Sequence, residues 1–346
     1  MVNHIYGING PCNAPWNNMY FTVMGQASPC WKSVGYCDRW SPTRSIADIW
    51  NGEKFQEYRD ALAKNKFINR CRECEKNINE GVWPLAKAYQ DFGINKNKYP
   101  TVMELELSNQ CNLECIMCSG TLSSGIRKNR DKLPPLPQIY DDSFRLQMRE
   151  FIPHLKELRF NGGEPLAQKI VLDICEDVAE LNPTLPVCMA TNGSVYNKRV
   201  QYLMDKCNLY FNVSIDSLQK DRYAEIRING NLDTVLQNFT RFRDYRRSKS
   251  SNDQLGIAIM VNPMRNNWEE MVDFGKFARD NNVNLWFNTI LYPQHLALWN
   301  LPTDQLTTIY NTLKSQLSRE INLPQSVYHL VNNQISNWLL DSVEKD

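Results

Sequence analysis

From Thr101 onward, apolar residues gather in short runs, each closed by a polar turn and followed by a stretch with apolar positions at helical spacing. The runs VMELELS at 102–108, ELRFN at 157–161, VCMAT at 187–191, LYFNVSI at 209–215, LGIAIMV at 255–261 and LWFNTI at 285–290 predict strands. Helices are expected over 141–152, 168–181, 197–205, 232–247 and 267–281. Six alternations of this kind imply a parallel sheet with right-handed crossovers, either an open doubly wound sheet or part of a βα barrel. Both architectures put ligands at the strand C-termini.

Residues 1 to 98 lack that alternation. Their one clear amphipathic segment is SIADIWNGEKFQEYRDALA, Ser45 to Ala63, and Gly25 marks a hairpin-like turn. The expected division is therefore an N-terminal module at 1–98, an α/β unit at 99–292 and a helical extension at 293–346. Two amphipathic helices over 303–342 are expected to cap the barrel. The proline-rich GIRKNRDKLPPLPQ at 125–138 reads as a solvated connection, with a cover over a site as the alternative. The basic RFRDYRRSKSSND at 241–253 reads as a solvated face.

The chain of 346 residues is long enough for a large core, and 39 Lys and Arg against 38 Asp and Glu leave a net charge of +1. Nothing in that balance favours nucleic acid, an anionic membrane or a strongly acidic partner. No apolar run approaches the roughly 20 residues needed to span a bilayer, and MVNHIYGINGPCNAPW lacks a signal layout, so a cytoplasmic location is expected. In a reducing compartment, eleven cysteines point to metal binding or catalysis. Cys175, Cys188 and Cys207, scattered among apolar neighbours, read as small buried hydrophobes.

Three cysteines stand together in CNLECIMC, with Cys111, Cys115 and Cys118 directly after the first strand. A closed structural metal site takes four ligands, so three on one loop imply an open position. On a 4Fe-4S cube, three thiolates hold three irons and the fourth iron can take an exogenous chelate such as an amino acid's amine and carboxylate. Thiolate softness suits such a cluster and leaves zinc open.

CNLECIMC, with GGEP at 162–165, TNG at 191–193 and SIDS at 214–217 at successive strand ends, resembles the radical S-adenosylmethionine (SAM) superfamily over residues 101–292. The resemblance implies an α/β fold with a partial (βα)6 TIM-like barrel. It also implies that Cys111, Cys115 and Cys118 hold a 4Fe-4S cluster whose fourth iron chelates the SAM amine and carboxylate. Gly162 and Gly163 then permit close backbone approach, and Glu164 offers a carboxylate to the SAM ammonium. Thr191, Asn192 and Gly193 are placed for the ribose hydroxyls, and Ser214 and Arg227 for the SAM carboxylate. Against these stand an ordinary βα turn and an exposed helix arginine. Asp216 is placed for a ribose or substrate contact, and Asn262 is a further candidate.

Cys12, Cys30, the pair Ile49-Trp50 and CRECEK with Cys71 and Cys74 resemble the auxiliary-cluster domain of the twitch and SPASM branches. Four cysteines would saturate a second 4Fe-4S cluster, with zinc as the alternative. The departure is position, because this module precedes the barrel. Cys37 could be a substitute ligand, a hydrogen-atom donor or an inert thiol. The expected activity is cleavage of SAM to a 5′-deoxyadenosyl radical that modifies a peptide or protein side chain, with the auxiliary cluster transferring electrons and a flavodoxin- or ferredoxin-type donor supplying them. The alternatives are a radical dehydrogenase or rearrangement enzyme acting on a small metabolite such as a sugar or nucleotide, and a non-catalytic iron-sulfur electron-transfer protein.

Overall fold

The computed structural model describes residues 12–33, 37–68, 71–79, 89, 92–249 and 256–343. The N-terminal stretch read for a signal layout lies outside these up to residue 11, as do Gly35, Tyr36, the end of the basic run at 250–253 and Leu255. Among the described residues no helix is long and apolar enough to cross a membrane.

The strands are β1 Asn18–Phe21, β2 Gln26–Ser28, β3 Asp38–Arg39, β4 Val102–Leu105, β5 Glu157–Phe160, β6 Pro186–Thr191, β7 Asn208–Ser214, β8 Ile257–Val261 and β9 Asn284–Phe287. All six predicted strands form, the first and last ending three residues early. The chain divides into two compact units. One gathers the described parts of Met1–Gln110, Pro135–Met189 and Lys198–Leu209; the other gathers Cys111–Pro134, Ala190–Asn197 and the described parts of Tyr210–Asp346.

In the first unit, β4, β5 and β6 pair in parallel. The N-terminal residues extend that sheet. β1 lies parallel to β4 in the register Asn18↔Val102 to Phe21↔Leu105, and β2 and β3 follow antiparallel. Residues pointing to one side are apolar and buried: Met19, Phe21, Met103, Leu105, Leu158, Phe160, Val187 and Met189. Phe21 meets Phe144 of the helix Asp142–Phe151 edge-on at 5.4 Å. That helix is capped by Asp141, and its Arg145 and Arg149 both pair with buried Asp177 on the helix Lys169–Leu181.

The single helix predicted from Ser45 to Ala63 is two helices, Ile46–Trp50 and Glu53–Ala63. Ser45 and Asp48 form a capping box on the first, and Gly52, with extended backbone, caps the second. The amphipathic period continues across this break, so apolar spacing alone did not reveal it.

In the second unit β7, β8 and β9 are parallel, with Ser214↔Met260 and Val261↔Phe287 in register. The helix Leu232–Lys249 stacks Phe242 on Phe211 at 4.2 Å and lays Arg246 over the Tyr210 ring at 4.0 Å. Both side chains are buried, so the basic run is not simply a solvated face. The 125–138 connection likewise opens with a helix, Ser124–Asn129, capped by Ser123 and anchored by buried Ile126. The chain ends in Thr303–Leu317 and a second helical stretch from Gln325 to Val343 with a π segment at Leu330–Ile335.

Candidate iron-sulfur sites

The cysteine loop of the second unit is held by its backbone. The Glu114 and Ile116 N–H groups donate to the Ile228 and Ile226 carbonyls at 3.0 Å each, and the Ser123 hydroxyl donates to the Leu113 carbonyl at 2.7 Å. Ile116 and Met117 pack on the cluster of Ile226, Met264, Ile290, Leu296 and Ala297. These ties fix the peptide between the cysteines while Cys111 and Cys118 remain half-buried and Cys115 is buried. Burial pushes the Cys115 thiol up to about 12; Arg227 opposes the shift, while Asp216, Cys118 and Cys111 add to it. The three thiols are thus near enough to act on one another.

Arg227 is buried, which excludes the exposed-arginine reading. Its Nη2 lies 2.6 Å from Asp216 Oδ2, and its Nη1 donates to Cys115 Sγ at 3.8 Å. Burial works against its charge, but Asp216 and Cys115 outweigh that and hold it protonated. Asp216 is fixed in turn: its Oδ1 accepts the Asn262 N–H at 2.7 Å and Asn262 Nδ2 at 3.0 Å, and its carbonyl accepts Asn267 Nδ2 at 2.7 Å. Asn262 therefore orients Asp216.

Asn192 Nδ2 reaches Asn112 Oδ1 at 3.0 Å and Cys111 Sγ at 3.9 Å. Thr191 is buried and its Oγ1 accepts the Gly193 N–H, closing the turn after β6. Ser214 is half-buried at the end of β7.

The glycine pair lies in the first unit, with positive φ at Gly162 (70°) and Gly163 (57°). A Cβ on Gly163 would stand 2.5 Å from the Gln110 carbonyl oxygen and 2.8 Å from that of Ser108, so only glycine lets the two backbones approach. Gln168 Nε2 bridges the Ser108 and Gly162 carbonyls at 3.1 and 3.0 Å. Glu164 is fully buried and its carboxylate accepts the Leu166 N–H at 3.0 Å.

Cys12, Cys30, Cys71 and Cys74 also converge. Burial raises the Cys12 thiol, and the charges of Cys30, Cys71 and Cys74 raise it further. Cys71 is pushed up to about 12 by burial, then by Cys30 and Cys74. Lys32 pairs with Glu73 at 2.6 Å, tying the turn after Cys30 to the CxxC helix Arg72–Asn79. Among the described residues no three His, Cys, Asp or Glu side chains meet closely enough to hold a single metal ion. A cluster binds each thiolate through a different iron, and an all-thiol donor set suits the softness of its irons. Cys37 is buried and acts on the charge of Arg59.

One group of residues escaped the sequence reading. On the face of the first unit's sheet opposite its apolar side, Arg159 binds Glu104 at 2.6 Å and Glu157 at 2.7 Å. Glu104 also accepts the Tyr89 hydroxyl and Asn18 Nδ2. Half-buried Glu106 packs on Gly162 and accepts the Tyr20 hydroxyl. Cys188 belongs to this polar face, with Sγ 3.4 Å from Glu157, which corrects its reading as a buried hydrophobe; Cys175 and Cys207 are buried as expected. The available signal was the period-two placement of Glu104 and Glu106 in VMELELS.

A family model for the radical SAM superfamily matches residues 105–278, and the chain belongs to that superfamily. A second model, for the SPASM iron-sulfur cluster-binding domain, matches residues 12–75, so this member carries the domain ahead of the barrel. The chain is thus a member of an enzyme superfamily and has an α/β fold with parallel strands, and the two domains imply SAM and 4Fe-4S clusters as cofactors. The chain is 27% identical over 196 residues to a GTP 3′,8-cyclase of Clostridium perfringens (strain 13 / Type A), covering 56% of this chain and 57% of the relative. It is 25% identical over 195 residues to a GTP 3′,8-cyclase of Pseudomonas putida (strain GB-1), covering 55% and 54%. The chain thus spans just over half the length of these relatives. Among solved structures, Streptococcus suis SuiB bound to S-adenosylmethionine aligns at TM-score 0.45 and 13% identity, covering 79% of this chain and 54% of that one. SuiB bound to its precursor peptide SuiA aligns at TM-score 0.45 and 14% identity, covering 73% and 61%.

Proposed function

We propose that the protein cleaves SAM reductively at a 4Fe-4S cluster held by Cys111, Cys115 and Cys118, and modifies a peptide or protein side chain by hydrogen-atom abstraction. Gly162, Gly163 and Glu164 receive the SAM amine; Thr191 and Asn192 serve its ribose, with Asp216 as a further contact; Ser214 and Arg227 receive its carboxylate. The Arg227 Nε–H, buried and without a hydrogen-bond partner, supports that last role. Cys12, Cys30, Cys71 and Cys74 hold the auxiliary cluster, closed to substrate and suited to electron transfer. The working division is 1–98 for this module, 99–292 for the barrel and 293–346 for the extension. The enzyme acts in the cytoplasm with a low-potential flavodoxin- or ferredoxin-type donor.

The observation that carries the substrate class is the acidic face of the first unit's sheet. Glu104, Glu106 and Glu157 stand there beside Arg159, which Glu104 and Glu157 already hold. A polyanionic nucleotide is repelled by such a face, whereas a neutral or cationic side chain is accepted. Sequence similarity to the GTP 3′,8-cyclases favours the second reading, a small-metabolite enzyme acting on a nucleotide. The test incubates anaerobic reconstituted enzyme with SAM, dithionite and either uniformly deuterated peptides from a cell digest or deuterated GTP, then reads deuterium in 5′-deoxyadenosine by mass spectrometry. Transfer from the peptides is expected. Transfer from GTP alone would install the second reading.

A further inference from the structure

The Arg227 guanidinium does more than wait for a ligand. It lies 2.6 Å from Asp216 through one nitrogen and donates to Cys115 Sγ at 3.8 Å through another, with all three residues buried. Asp216 cannot swing away, because Asn262 and Asn267 hold it from both ends. The donor is therefore aimed at the sulfur. Hydrogen bonds and positive charge at a ligand sulfur favour the reduced, more negative state of an iron-sulfur centre, and burial strengthens the effect.

We propose that Arg227, aimed by Asp216, is a positioning residue that raises the reduction potential of the cluster bound at Cys111, Cys115 and Cys118. This rests on the cluster assignment above and adds a role that operates without SAM. The opposed charges give a signed test. Asp216→Asn keeps an acceptor for Asn262 but leaves the guanidinium uncompensated. Arg227→Met with Asp216→Asn removes donor and carboxylate together and leaves no unpaired buried charge.

The experiment is an EPR-monitored redox titration of the reconstituted full chain without SAM, with iron content and circular dichroism measured on each variant. Asp216→Asn should move the midpoint potential of this cluster upward, and the double variant should move it below wild type. Equal midpoints in wild type and either cluster-bearing variant overturn the proposal and return Arg227 to cofactor binding alone. A wild-type protein that takes up no cluster at Cys111, Cys115 and Cys118 fails at the earlier assignment instead.

Discussion

Replacing Glu106 by Gln should stabilise the folded protein above neutral pH. Burial lifts the Glu106 carboxyl from an ordinary 4.5 to about 7, with the Tyr20 hydrogen bond pulling it down and Glu104 pushing it up. Glu106 in turn raises the Tyr140 hydroxyl. Because the folded state holds the Glu106 proton more tightly, the group's stabilising contribution is complete below about pH 4.5 and is lost as pH rises through about 7. At about 1.36 kcal/mol per pH unit, the full interval corresponds to about 3 kcal/mol, and solvent reaching a half-buried side chain lowers that to about 2 kcal/mol. Glutamine keeps an oxygen for the Tyr20 hydroxyl while removing the charge. Urea denaturation under anaerobic conditions should therefore show Glu106→Gln more stable by about 2 kcal/mol near pH 8.5, with the gain falling by roughly a third to a half near pH 6. A variant no more stable than wild type at the higher pH would refute the reasoning.

Cys71→Ala with Cys74→Ala should lower bound iron from about eight to about four per chain while SAM cleavage persists; undiminished iron would remove the N-terminal cluster assignment. Gly163→Ala forces a side chain into left-handed backbone against two carbonyl oxygens, and should cost about 1–3 kcal/mol in thermal denaturation and weaken SAM binding in equilibrium dialysis. A variant that matches wild type in both would show that the turn does not need glycine.

The βα alternation was legible because its strands are short, apolar runs bounded by polar turns, and the site motifs follow those runs directly. β1 was not legible as a neighbour of β4. Asn18–Phe21 is four residues long and fully buried, and its parallel partner lies more than 80 positions away, so no local period announces the pairing. The three cysteines of the second unit declared themselves by spacing, whereas the Asp216–Arg227 pair joins residues on different elements and needed coordinates. The polar face of Glu104, Glu106, Glu157 and Arg159 was half visible: the alternation in β4 showed, but the Arg159–Glu104 ion pair that distinguishes Glu104 from Glu106 joins residues 55 positions apart. Phe242 and Arg246 were masked by composition, since a run dominated by Arg, Lys and Ser reads as solvated even where two of its side chains reach the core.

The most direct measurement is EPR of the reduced Cys71→Ala, Cys74→Ala protein with and without SAM, which isolates the cluster at Cys111, Cys115 and Cys118. A 4Fe-4S signal that SAM shifts in g-values is expected, because the proposed three-cysteine site would leave one iron to take the cofactor's amine and carboxylate. A signal that SAM leaves untouched, or a site holding zinc in place of iron, would contradict the open corner from which the proposed chemistry starts.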